Sequence, residues 1–274
     1  MKRLILTSLC LLLTSSIALG DWFSGDDYKM HYPQMPDPDG WDVKATTIHN
    51  PDYDPGDPTS EPYLQHKVLA DDWWCIESGP VSDVHFWGSW RRDIVSPIDS
   101  IHLSIHKDIP AGTDPDFPWS HPGVLLWERD ITNFTVFEGF TGQQGWYNPN
   151  TGEAIWPDHF MFHQINIEHI PEPFIQEEGT IYWLDIQVDV PYLPPADGLG
   201  GLDPDQPEWG WKTSQDHWND DAVWSDSGQG PWFELYDPWP PGESLDMAFV
   251  ITPEPTTIGL LGLGSLALLR KRRV

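Results

Sequence analysis

From residue 182 to residue 190 every second side chain is large and apolar. Tyr182, Leu184, Ile186, Val188 and Val190 alternate with Trp183, Asp185, Gln187 and Asp189. Successive side chains of an extended strand point to opposite faces, so this period of two predicts a strand with one face in a core. The same alternation runs through Val84, Phe86 and Trp90, through Ile101, Leu103 and Ile105, and through Leu245, Met247, Phe249 and Ile251. Further strands are expected at Val124–Glu128, Ile131–Phe137, Phe160–Ile167 and Trp232–Tyr236. No stretch between residues 21 and 252 shows a capped 3.6-residue period, so helix is not expected there. Ser78-Gly79-Pro80, Asn148–Gly152 and Gly228–Pro231 supply turns. About nine or ten short strands with such turns predict an all-β fold, an antiparallel β-sandwich of which the jelly roll is one form.

Residues 63–252 are expected to form the sandwich. Residues 21–62, rich in Pro, Asp and Gly, read as an irregular arm lying on it, and Pro191–Pro207 as an inserted loop. The core must be built largely from rings, because all 17 tryptophans lie between residues 21 and 252. Cys10 falls in the leader described below, which leaves Cys75 alone and rules out a disulfide within the chain. Between residues 21 and 252 stand eight basic and 42 acidic residues, a net charge of −34. Such a surface repels phosphate backbones, and nucleic-acid binding is excluded.

The two ends carry sorting signals. Lys2 and Arg3, the apolar run Leu4–Leu13 and the small-residue site Ala18-Leu19-Gly20 make residues 1–20 a secretory signal peptide. At the other end Pro253-Glu254-Pro255 precedes an apolar stretch, Ile258–Leu269, and then Arg270, Lys271, Arg272 and Arg273. As a helix that stretch spans only about 18 Å of a bilayer core of about 30 Å, with its cationic end held in the cytoplasm. A helix so short suits transient insertion better than permanent anchoring. Residues 253–274 thereby resemble the tail of the PEP-CTERM proteins of Gram-negative bacteria. The resemblance implies a short C-terminal transmembrane helix, export, cleavage by an exosortase near Pro253–Pro255, and delivery from the inner membrane to the cell surface or extracellular matrix, in association with exopolysaccharide. The body is also similar to a domain of unknown function that recurs in proteins with this tail, through PDPDGWDV (36–43), LADDWWC (69–75), VSDVHFWGSW (81–90), HLSIHKDIP (102–110), GTIYWLDI (179–186) and WKTSQDHWNDDAVW (211–224). That likeness implies boundaries and no activity.

Chemistry-bearing patterns are sparse. Paired acids such as Asp71-Asp72 arise by chance in so acidic a chain, and no G-x-S-x-G elbow is present, so no catalytic role is expected. His102 and His106 would lie about 13 Å apart along one strand, too far to share a metal, and read, with His159 and His163, as solvent-facing strand residues. Acidic loops suit a structural Ca²⁺, with Asp216, Asp220 and Asp221 the expected ligands, although no EF-hand loop is complete. Trp209, Trp211, Trp218 and Trp224 flank this acidic run. They either pack in the core or, displayed on a sheet face, stack on the sugars of a polysaccharide. The expectation is an exported surface or matrix protein, with a carbohydrate-binding module as the alternative.

Overall fold

The computed structural model describes residues 21–253 apart from 197, 199, 200 and 229. The signal peptide and the tail from Glu254 onward, with its expected helix, lie outside the described residues. Strands follow one another as β1 (Trp41–Lys44), β2 (Thr46–His49), β3 (Tyr63–His66), β4 (Val68–Trp74), β5 (Gly79–Val81), β6 (Asp83–Trp90), β7 (Ser100–Ile109), β8 (His121–Ile131) and β9 (Thr135–Asn148). They continue as β10 (Glu153–Ile167), β11 (Phe174–Gln176), β12 (Ile181–Asp189), β13 (Trp209–Lys212), β14 (Val223–Ser225), β15 (Phe233–Glu234), β16 (Tyr236–Pro238), β17 (Pro241–Ser244) and β18 (Phe249–Thr252). One 3₁₀ turn, Arg91–Asp93, is the sole helical element among the described residues.

Two main sheets face each other, and the expected all-β sandwich is found. The first runs β10-β9-β1-β13-β6-β18, and β10 also pairs with β6. That extra pairing closes β10, β9, β1, β13 and β6 into a ring, and β1, β13 and β6 are buried along their whole length. The second runs β15-β14-β4-β12, with β7 and then β8 continuing from β12, and β2 and β3 joined to the end of β12. Two pairings are parallel, β1 with β9 and β2 with β12, a departure from the wholly antiparallel jelly roll.

The core between the sheets is aromatic on one side and aliphatic on the other. Phe86, Trp209, Trp211 and Phe249 from the first sheet meet Leu69, Leu103, Ile105, Leu184 and Ile186 from the second, all fully buried. Phe86 stands edge-on to Trp209 at 5.8 Å and to Trp211 at 6.4 Å, the orientation ring quadrupoles favour. Truncating either indole to alanine would cost about 3–5 kcal/mol.

The expectation of an irregular arm over residues 21–62 is corrected. Trp41–Lys44 sits centrally between β9 and β13, and Thr46–His49 joins β12. All four residues of β1 are buried, including the charged Asp42 and Lys44. A strand whose two faces are both enclosed shows no alternation, which is why the sequence conceals it.

Candidate functional site

The tryptophans singled out by sequence separate into two groups. Trp209 and Trp211 are 1% and 0% exposed, and Trp211 Nε1 donates to the Ala248 carbonyl at 2.9 Å. These two are core residues and present no face to a ligand. Trp218 is half-buried, stacked on His31 at 4.2 Å, and Trp224 lies against Phe233 at 5.0 Å. The expected calcium ligands do not converge. Asp216 is exposed, Asp220 accepts from Asn219 Nδ2 at 2.8 Å, and Asp221 lies at the Tyr236 hydroxyl, which burial, Glu234 and Asp221 keep protonated. Among the described residues no group of three or more His, Cys, Asp or Glu side chains is placed to hold a metal ion. Of the sorting residues, only Pro253 is described; Glu254, Pro255, Arg270, Lys271, Arg272 and Arg273 lie beyond.

Three other tryptophans do build a pocket, of about 390 Å³. Its floor begins with the turn Asp37-Pro38-Asp39-Gly40, where the Asp37 carboxylate accepts from Asp39 N at 3.0 Å and Gly40 N closes on the Asp37 carbonyl at 3.1 Å. That turn delivers Trp41, whose backbone N–H donates to Thr213 Oγ1 at 3.0 Å. The opposite wall is the β16–β17 hairpin, which turns at Trp239-Pro240 and takes Gly242 of β17 to φ +98°. Asp237 on this hairpin accepts from Trp41 Nε1 at 3.2 Å and from Trp239 N at 2.5 Å, tying hairpin to strand. Trp41 is buried and stands edge-on to Trp156 at 5.5 Å and to Trp239 at 6.1 Å.

Trp41 therefore braces two rings, of which Trp156 is half-buried and Trp239 is 62% exposed. Around them stand Asp37, Asp39, Asp237, Glu243, Ser214 and Ser244, with no Lys or Arg in the lining. Burial pushes the Asp237 carboxyl up, aided by Glu243 and Asp37, although the two N–H donors counter it. The pocket thus offers ring faces, hydroxyls and hydrogen-bond acceptors, and repels anions. Sequence reasoning missed these rings because the pocket gathers residues from five separate stretches of chain.

A larger cleft, of about 880 Å³, lies over the outer side of β7, β8 and β12 and includes His49, His66, His102 and His106. The histidines are tied down rather than free. His102 Nδ1 pairs with Asp130 at 2.7 Å, His66 Nε2 with Gln187 at 2.7 Å and His49 Nε2 with Asp189 at 3.3 Å. His106 is only 4% exposed, which corrects its expected solvent-facing place; Gly123 of β8 and Trp232 cover that side of β7. Ser104, His106 and Asp185 meet here without forming a nucleophilic triad. His106 Nε2 faces both Ser104 Oγ at 2.9 Å and Asp185 Oδ2 at 2.8 Å, while Nδ1 faces the Gly123 carbonyl at 3.1 Å. A relay needs serine on one ring nitrogen and carboxylate on the other. Burial alone would lower the His106 pKa, but Asp185 raises it, so the imidazolium form is favoured over a general base. Cys75 is buried and donates to the Glu77 carbonyl, and burial pushes its thiol up, away from a reactive thiolate.

Comparison with known protein families matches residues 30–252 to a domain of unknown function, DUF7901. The chain belongs to the DUF7901 family. Residues 252–273 match the PEP-CTERM protein-sorting motif. This DUF7901 chain therefore carries the signal of exported, exosortase-processed proteins sorted to the surface of Gram-negative bacteria. The match from residue 30 takes in the strands β1 and β2 that a boundary at residue 63 would have left outside. No curated protein and no solved structure matches the chain.

Proposed function

We propose that the protein is a non-catalytic component of the cell surface or extracellular matrix, and that its tryptophan-walled pocket holds exopolysaccharide. The sorting motif supports the location. The observation that carries the binding reading is the exposed Trp239 beside Trp156, above carboxylates and hydroxyls and without Lys or Arg. Indole faces stack on the C–H faces of pyranose rings, while carboxylates and hydroxyls accept from sugar O–H groups. The lining would repel uronate and pyruvylated sugars, so the ligand class is neutral or aminated glycan.

Isothermal titration of the purified protein with a neutral β-linked glucose hexasaccharide tests the site. Trp239→Ala removes an exposed ring and leaves the core intact, so the fold should persist. At about 1–1.5 kcal/mol for one ring contact, the variant should bind roughly five- to tenfold more weakly. Unchanged affinity would remove the pocket from consideration.

A further inference from the structure

The closed ring of the first sheet encloses a set of reactive groups that the pocket does not use. Asp42 on β1 and Lys212 on β13 are directly paired across the ladder, and both side chains are fully buried. Lys212 Nζ lies 3.3 Å from Asp42 Oδ2. His159 Nε2 reaches the same oxygen at 3.0 Å, and its Nδ1 is held by Asp158 at 2.9 Å. Asp42 Oδ1 is buried without a hydrogen-bond partner, and the Phe162 ring lies 5.8 Å from Nζ. An ordinary buried ion pair is stabilised by satisfying its oxygens; this one leaves an oxygen bare beside an amine.

We propose that Lys212 and Asp42 condense into an intramolecular isopeptide bond that cross-links β1 to β13, with His159 as the proton shuttle. The reaction begins with transfer of the ammonium proton to the carboxylate, which gives a neutral amine and a carboxylic acid. The Nζ lone pair then attacks Cγ and forms the C–N bond. His159 gives its proton to the departing hydroxyl, the C–O bond breaks, and water leaves. The proton shed by nitrogen returns to His159, so the imidazolium is restored and no oxidant or other reactant is needed.

The surroundings favour each stage. Burial pulls the Lys212 amine down, toward the neutral form a nucleophile needs, even though Asp42 pulls it back up. Burial would push the Asp42 carboxyl up, but Lys212 and His159 hold it down, so the ion pair is the state from which proton transfer starts. Burial would lower the His159 pKa, but Asp158 and Asp42 outweigh it and raise it to about 9, which keeps a proton at hand. Fixed contact between reactants also replaces the entropy of a bimolecular encounter.

The neighbouring Lys44–Glu208 pair marks the contrast. There Glu208 is shared: Arg91 donates to its second oxygen at 2.8 Å, so Lys44 faces a carboxylate already held by a guanidinium, with neither oxygen left bare. One water is lost, not two.

Denaturing mass spectrometry of the purified protein tests this. The mass should lie about 18 Da below that of the sequence between its mapped termini. A proteolytic digest should contain a branched peptide joining the segments around Asp42 and Lys212. Asp42→Asn should expel ammonia instead of water and finish at the same mass as the condensed wild type, while His159→Gln should keep its full mass. A wild-type protein at full sequence mass, with Asp42 and Lys212 in separate linear peptides, overturns the cross-link whether or not the variants fold. Condensation in His159→Gln overturns the shuttle.

Discussion

Asp71, Asp72 and Asp246 form a buried group of acids beneath Trp218. Asp71 accepts from Gln34 Nε2 at 2.8 Å and from Met247 N at 2.7 Å, Asp72 from Asn219 Nδ2 at 2.7 Å, and Asp246 from Trp218 N at 2.6 Å. Burial, with Asp71 beside it, pushes the Asp72 carboxyl well above the usual carboxylate range. A carboxyl that holds its proton more tightly when folded contributes stability at low pH. That contribution drains away as pH rises from the unfolded value through the folded one. His31, brought down to about 3 by burial, acts in the opposite sense, costing stability as pH falls below about 6.5. A comparison with Asp72→Asn isolates the carboxyl, because the amide cannot ionise and can still accept from Asn219. The variant should gain on the wild type in thermal melts as pH rises from 5 to 8, each kcal/mol moving Tm by about 2–4 °C. A Tm gap that stays constant with pH would mean that Asp72 does not titrate in this range. Nothing in sequence marked this pair, since adjacent aspartates are common in so acidic a chain and only the fold buries them.

At the scale of elements, β9 is shaped by the tryptophans that cross it. A Cβ on Gly145 would meet Trp41 Cε3 at 2.3 Å and Trp156 Cε3 at 2.5 Å. Both are atoms of rigid rings, and Trp41 is already wedged among Tyr147, Trp156 and Trp239. Gly145→Ala should therefore separate the two rings, destabilise the protein by about 1–3 kcal/mol and weaken saccharide binding together. Melts and titration of the same preparation check this, and lost stability with intact binding would place the ligand elsewhere. The alternation at β7 and β12 was legible because Ile101, Leu103, Ile105, Leu184 and Ile186 give those strands one plainly aliphatic face. It overstated their solvent exposure: Trp183 and Asp185, on the other face of β12, are fully buried as well. β1 and β13 were hidden for a related reason. Their second face carries Asp42 and Lys212 into the ring, so buried charges stand where the pattern expects solvent.

For the whole molecule, location was far more legible than function. A sorting tail is a linear signal, complete within Pro253–Val274, whereas the pocket unites residues as distant as Asp37 and Glu243. Replacing Pro253-Glu254-Pro255 by alanines should leave a precursor that retains Arg270–Val274 in the inner-membrane fraction. Finding Val274 on the wild-type surface protein, by C-terminal peptide mass, would contradict exosortase processing. The strongly negative body also sets what the surface can meet, favouring uncharged or cationic partners over phosphate and uronate. The measurement that bears most directly on this account is retention of the purified protein on an array of neutral, aminated and uronate oligosaccharides at physiological ionic strength. Retention should be strongest on the neutral and aminated sugars, should fall in Trp239→Ala, and should leave the bound chains uncut. Preference for uronates, no retention on any sugar, or cleavage of the bound chains would contradict it.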